Sequence, residues 1–179
     1  MRHLILVLLF LASSSSLFAQ YELRKTADGV SLESQLKGRR YIVNIPAKTV
    51  VPYGVQQASH PHLMVDGVYL QMLSVPLAEF KGDAAASDEA VLRQQMQYEA
   101  NFQKVPLSSI RARTRKLPKG RVALVWSFKP AAAPTRQVFL TIRAGNYVVV
   151  LGSAVQPSQS EPQIERFLAR IADSFRPVR

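Results

Sequence analysis

The chain has 179 residues, no cysteine, 23 lysines and arginines against 12 acids, and a formal charge of +11. Without cysteine the fold cannot use disulfides and no chemistry can rest on a thiol, so it stands on packing alone. The positive balance works against cationic partners and favours anionic ones.

The chain opens with Met1-Arg2-His3, an apolar run from Leu4 to Ala12, four serines, and Leu17-Phe18-Ala19. This is the order of a secretory signal peptide: charged start, apolar core, small residue at the cut. Nine apolar residues are too few to span a bilayer, which takes about 20. We expect residues 1–19 to be a signal peptide cut after Ala19, and residues 20–179 to form a single domain. The product would be exported, periplasmic or secreted, with no transmembrane span after cleavage; an uncut anchor is the competing reading.

Asp28-Gly29 predicts a first hairpin turn, and "KGRR" a second polar turn. "YIVNIP" reads as a buried strand that stops at Pro46, which lacks a backbone donor. Residues 47–61 are irregular. Asp66-Gly67 lies between two apolar runs, a strong hairpin signal. A helix then starts with Ser87 as N-cap, with Asp88 and Glu89 in its first turn. Val91, Leu92, Gln95, Tyr98 and Phe102 mark its expected inner side.

Four strand candidates follow, at 107–116, 121–128, 136–143 and 146–155. Their short connections predict an antiparallel meander. Ser160 and Gln163 form a capping box for a last helix. In it Ile164, Phe167, Leu168, Ile171 and Phe175 recur at helical spacing, with Glu161, Glu165, Arg166, Arg170 and Asp173 off that stripe.

The hairpin "SIRARTRKLPKGRVALVW" can close in two registers. A four-residue loop pairs Lys116 with Arg121 and mixes arginine into the apolar face. A three-residue loop, Pro118-Lys119-Gly120, pairs Leu117 with Arg121. It places Ile110, Ala112, Thr114, Val122, Leu124, Trp126 and Phe128 on one face and Arg111, Arg113, Arg115 and Arg121 on the other. Burial selects the second, because a slip of one residue turns a whole strand over. Gly120 suits the left-handed residue of such a turn. In the next hairpin, with a loop of Ala144-Gly145 or Gly145-Asn146, Val138, Leu140, Ile142, Tyr147, Val149 and Leu151 share a face. Phe139, Thr141, Arg143, Val148 and Val150 share the other. We expect the main core to lie against the last helix, with the first helix or the N-terminal strands covering part of the basic face.

Few residues carry recognisable chemistry. His60 and His62 flank Pro61 and would point the same way on a strand, so with Asp66 they are a weak metal candidate; two exposed loop histidines are the alternative. There is no G-x-S-x-G, H-E-x-x-H or phosphate loop. No cofactor is implied and a non-enzyme is expected. The stronger feature is charge. Between Ala100 and Ser160 there is no acid, against ten basic residues. Arg111, Arg113, Arg115, Arg121 and Arg143 are therefore candidate ligands of an anionic partner: a lipid, an envelope polymer or an acidic protein. Nucleic acid is not expected, since no aromatic side chain is interleaved on the predicted arginine face. The plain alternative is a solvated sheet face. Two further functions are carried forward, a protein–protein accessory or chaperone-like factor using loops 47–61 and 129–135, and a small metal-dependent enzyme.

The pieces "YIVNIP", "GNYVVVLGSAV" and "FLARIADSFRP" resemble those of the PsbP-like superfamily, over roughly residues 41 to 176. That group includes the extrinsic PsbP subunit of photosystem II, DcrB-like bacterial periplasmic proteins and a Ran-binding nuclear import factor. The resemblance implies an α+β fold, an antiparallel sheet of about six strands packed with helices as an α/β/α sandwich. It also implies non-enzymatic accessory or binding work. It assigns no functional residue to this sequence.

Overall fold

The strands of the meander are apolar on both faces, and this sets the layering. The computed structural model describes residues 21–53, 61–130 and 135–178. The predicted signal peptide lies outside them. The described strands are β1 (Tyr21–Thr26), β2 (Gly29–Ser34), β3 (Tyr41–Pro46), β4 (Val50–Pro52), β5 (His62–Val65), β6 (Val68–Pro76), β7 (Arg111–Lys116), β8 (Val122–Phe128), β9 (Gln137–Ala144), β10 (Tyr147–Ala154) and β11 (Arg176–Pro177). The helices are α1 (Asp88–Phe102) and α2 (Glu161–Asp173). The main sheet runs β4-β5-β6-β10-β9-β8-β7, and a second runs β1-β2-β3-β11. All pairings are antiparallel. The fold is α+β, but about six strands was too few. The main sheet alone has seven, and the N-terminal hairpin continues into β3 and β11 rather than joining it.

Two cores lie on opposite faces of the main sheet. On one, Ile164, Leu168 and Ile171 of α2 pack with Leu140 and Leu151 of the main sheet and with Leu32, Val43 and Ile45 of the small sheet. On the other, Val91 and Leu92 of α1 pack with Leu124, Trp126, Phe128, Phe139 and Val148. Trp126 and Phe139 stack there with ring centroids 4.2 Å apart.

The predicted register of the arginine hairpin is the observed one. Arg111 pairs with Ser127 and Lys116 with Val122, and the Leu117 N–H donates to the Arg121 carbonyl at 2.8 Å. The turn differs in detail: both Lys119 (φ 62°) and Gly120 (φ 72°) are left-handed. The next hairpin turns at Gly145-Asn146, with Gly145 left-handed. The residue sets of all four faces stand, but their cover does not. Ala123 pairs with Ile142 and Val125 with Leu140, so the arginine face runs on into the face that α2 covers. The last helix, not the first helix or the N-terminal strands, lies over the arginines.

Local signals at the helices act as expected, with two shifts. The Ser87 hydroxyl accepts from the Ala90 N–H, and Gln163 Oε1 accepts from the Ser160 N–H at 2.7 Å. Ile164, Phe167, Leu168, Ile171 and Phe175 are all buried. In α1, Met96 and Ala100 are buried as well as Val91, Leu92 and Gln95, Tyr98 is partly buried against the same core, and Phe102 is 76% exposed. Phe102 is the last residue of α1. The strand expected at 107–116 begins only at Arg111, after a single 3-10 turn over Leu107–Ser109.

The two sheets are tied by polar contacts. Tyr147 Oη donates to the Arg40 carbonyl at 2.8 Å, and Arg39 Nη1 to the Ser74 carbonyl at 2.7 Å. Gly29 lies so close to β3 that a Cβ would fall 2.2 Å from the Ile45 carbonyl oxygen.

Two outcomes follow from this packing. Leu168→Ala, at a site with no exposure, should cost about 2–5 kcal/mol in urea unfolding. Burial pushes the Tyr21 and Tyr147 phenols up to about 12 from 10.0, so the fold holds their neutral forms. Stability should be whole below pH 10 and fall as the pH rises towards 12. Absorbance titration should show Tyr21 and Tyr147 ionising late, along with Tyr41, which burial raises further, and Tyr147→Phe should remove one late-ionising group.

Candidate anion-binding edge of the main sheet

β7 reads R-A-R-T-R-K and, among the described residues, is an edge strand. Alternation puts Arg111, Arg113 and Arg115 on the α2 side. Helix residues four apart rise about 6 Å and strand residues two apart about 6.7 Å, so Glu161 and Glu165 of α2 step alongside Arg111 and Arg113. Asp173, eight residues beyond Glu165, falls outside that step and still reaches Arg115. Arg111 Nη1 lies 3.9 Å from Glu161, Arg113 pairs with Glu165, and Arg115 Nη2 lies 3.5 Å from Asp173. Glu161 also accepts from the Ser127 hydroxyl and lies 3.5 Å from Arg136. The acid-free stretch from Ala100 to Ser160 is thus answered by carboxylates just beyond it.

These pairs do not take the arginine heads out of water. The Arg111 and Arg113 side chains are 75% and 60% exposed. Pairs so exposed contribute roughly 0–1 kcal/mol, and a guanidinium has donors left after one carboxylate is bound. Glu161 and Glu165 are more enclosed than the arginines they meet. A cleft of about 380 Å³ runs between β7 and the start of α2, lined by Arg111, Ala112, Arg113, Val125, Glu161 and Glu165 among others.

The other two expected ligands are engaged elsewhere. The Arg121 guanidinium sits 5.3 Å over the Phe175 ring, half-buried, and burial lowers its pKa. Arg143 is on the opposite face of the sheet. Its Nη1 donates to the Ala86 carbonyl at 2.8 Å and its Nη2 to the Ala84 carbonyl at 2.7 Å, with Asp88 at 3.4 Å. It fixes the chain entering α1. Exposed Lys116 and Lys119 stand at the β7 end and turn instead, and sequence reasoning did not single them out. Their signal was position: the last strand residue and the tip of a charged turn.

The histidine candidate is divided. His60 lies outside the described residues. The His62 Nδ1 is 2.5 Å from the Tyr69 hydroxyl, and burial lowers the pKa of the ring. Asp66 is not turned to it. Its carboxylate accepts from the Thr49 N–H at 2.8 Å and from the Lys48 N–H, which hold its pKa below the usual range. Among the described residues, no three His, Asp or Glu side chains cluster as a metal site. Of the loops 47–61 and 129–135, residues 54–60 and 131–134 also lie outside the described residues.

The two classes of arginine should separate in urea unfolding. Arg143→Ala removes charged hydrogen bonds from a largely enclosed side chain and should cost about 1.5–3 kcal/mol. Arg111→Ala should change stability by no more than about 0.5 kcal/mol.

No protein-family model and no curated protein matches this sequence. Among solved structures, a protein from Bacteroides thetaiotaomicron is similar at 8% identity and a TM-score of 0.44, over 78% of this chain. The chain spans 45% of that protein's length. A likeness at this level carries no argument about family or function.

Proposed function

We propose that this chain is an exported, non-enzymatic binding or accessory protein of the cell envelope, and that it holds an anionic partner along β7. The observation that carries this reading is local. Six consecutive edge residues hold four cations and no acid, and two of the guanidinium heads stay largely in water beside their carboxylates. The ligand set narrows to Arg111, Arg113 and Arg115, joined by Lys116 and Lys119. Arg121 and Arg143 leave it, because a ring and two carbonyls already occupy them. Export rests on the order of charge, apolar run and small residue in 1–19. Nucleic acid is not part of the reading, since Trp126 and Phe128 are buried on the far face of β8.

The PsbP-like resemblance and its sandwich belong to the same proposal. Its support is the quoted sequence pieces and the placing of α1 and α2 against opposite faces of one antiparallel sheet. The seven-stranded sheet and the separate small sheet go beyond the form that the resemblance implies.

The test uses labelled poly-L-glutamate and the full chain. Wild type should bind it more weakly as salt rises. Arg111→Glu with Arg113→Glu should weaken binding at least tenfold, with the melting temperature checked for both proteins. Binding by the folded double variant equal to wild type would remove β7 as the site.

A further inference from the structure

β7 also carries an open backbone edge. Its inner neighbour is β8, and among the described residues no strand pairs with its outer side. The Leu117–Arg121 pair is hydrogen-bonded, so Arg115, Arg113 and Arg111, at the same parity, turn their N–H and C=O groups towards β8. Ala112, Thr114 and Lys116 therefore aim theirs outward. Residues 111–114 are all exposed. Edges of this kind are usually blunted by proline, a bulge or charge. β7 has no proline, and its six partners on β8 follow without a break, so charge is the device left.

That charge selects the occupant. A second copy pairing through β7 would set arginine against arginine, and like charges directly opposite are destabilising. An acidic strand meets the reverse condition. In an added strand, residues opposite Arg111, Arg113 and Arg115 would form the closer, non-hydrogen-bonded pairs, with side chains on the arginine side. Residues opposite Ala112, Thr114 and Lys116 would exchange backbone hydrogen bonds. On the arginine side Glu161 and Glu165 also stand, but they are enclosed while the Arg111 and Arg113 heads are exposed, so an added strand meets the cations first. On the second side Ala112 and Thr114 offer no cation, and Glu89, held by Arg93 and Thr114, repels a further acid.

The geometry points to strand addition: β7 takes an extended segment of another protein, with acidic residues at every second position, as an eighth strand of the main sheet. This rests on the reading that β7 holds an anionic partner, and adds that backbone pairing, not charge alone, holds it.

The probe is a labelled nine-residue peptide of alternating glutamate and threonine, titrated into the full chain by fluorescence anisotropy. Its control is the same peptide N-methylated on the threonine amides, which keeps the charge and removes the donors to β7. The methylated peptide should bind at least tenfold more weakly. Ala112→Pro, which removes an outward N–H and leaves the β8 ladder whole, should weaken the unmodified peptide to the same degree without lowering the melting temperature by more than a few degrees. If that variant fails to fold, the methylated peptide decides alone. Equal binding of the two peptides overturns strand addition and leaves the anionic reading standing. Failure of the peptide and of poly-L-glutamate alike removes both. Self-association through β7, or phosphatidylglycerol vesicles that displace the unmodified and the methylated peptide alike, overturns the inference in favour of a second copy or a lipid surface.

Discussion

The main sheet depends on one constraint, that β8, β9 and β10 have no wet face. In "VALVWSF", "QVFLTIRA" and "YVVVLGSA" nearly every side chain is buried, on both sides of the sheet. A sheet of this kind cannot be closed by one layer, because each uncovered face would leave apolar area in water at about 25 cal/mol per Å². Two helices answer it. The amphipathic stripe of α2 and the inner faces of β2 and β3 close one side. α1 closes the other over the Trp126, Phe128 and Phe139 stack.

The same constraint explains the arginines. β7 is the last strand of the sheet, so it needs no second apolar face and can carry charge towards solvent. Its α2-side residues still lie beside a helix, and α2 meets them with Glu161, Glu165 and Asp173. The helix thereby gains guanidinium partners for the carboxylates at its margin while its apolar stripe faces the core. What this ladder does not consume is the outer half of each exposed guanidinium and the outward backbone of Ala112, Thr114 and Lys116. Arg143 shows the contrast. The same residue type, one hairpin further in, is enclosed and used to hold the loop before α1.

Much of the local structure was legible because it is set within a few residues. Ser87, and Ser160 with Gln163, mark helix starts through hydrogen bonds three residues long. Asp66-Gly67 turns because both residues take positive φ, 46° and 80°. The Leu117–Arg121 register was read from the shared apolar face together with a turn ending at Gly120, which takes a left-handed φ of 72°. Three features were not legible. Which helix covers which face depends on the pairing of β8 with β9, and an all-apolar strand gives no preference for either side. The fourth strand of the second sheet is Arg176–Pro177, which returns to β3 across the length of the chain. The inner side of α1 was misread only at its last turn, where Ala100 is buried and the terminal Phe102 is exposed.

The sequence by itself determined the hairpins, the caps, the two-faced apolar meander and an edge strand whose arginines share one side. Periodicity and turn chemistry act over two to four residues and need no distant partner. Only the tertiary structure decided what those arginines meet. It brought the acids of α2 to Arg111, Arg113 and Arg115, the Phe175 ring to Arg121, and the carbonyls before α1 to Arg143. Charge is read along the chain, but its compensation is set by which surfaces pack together.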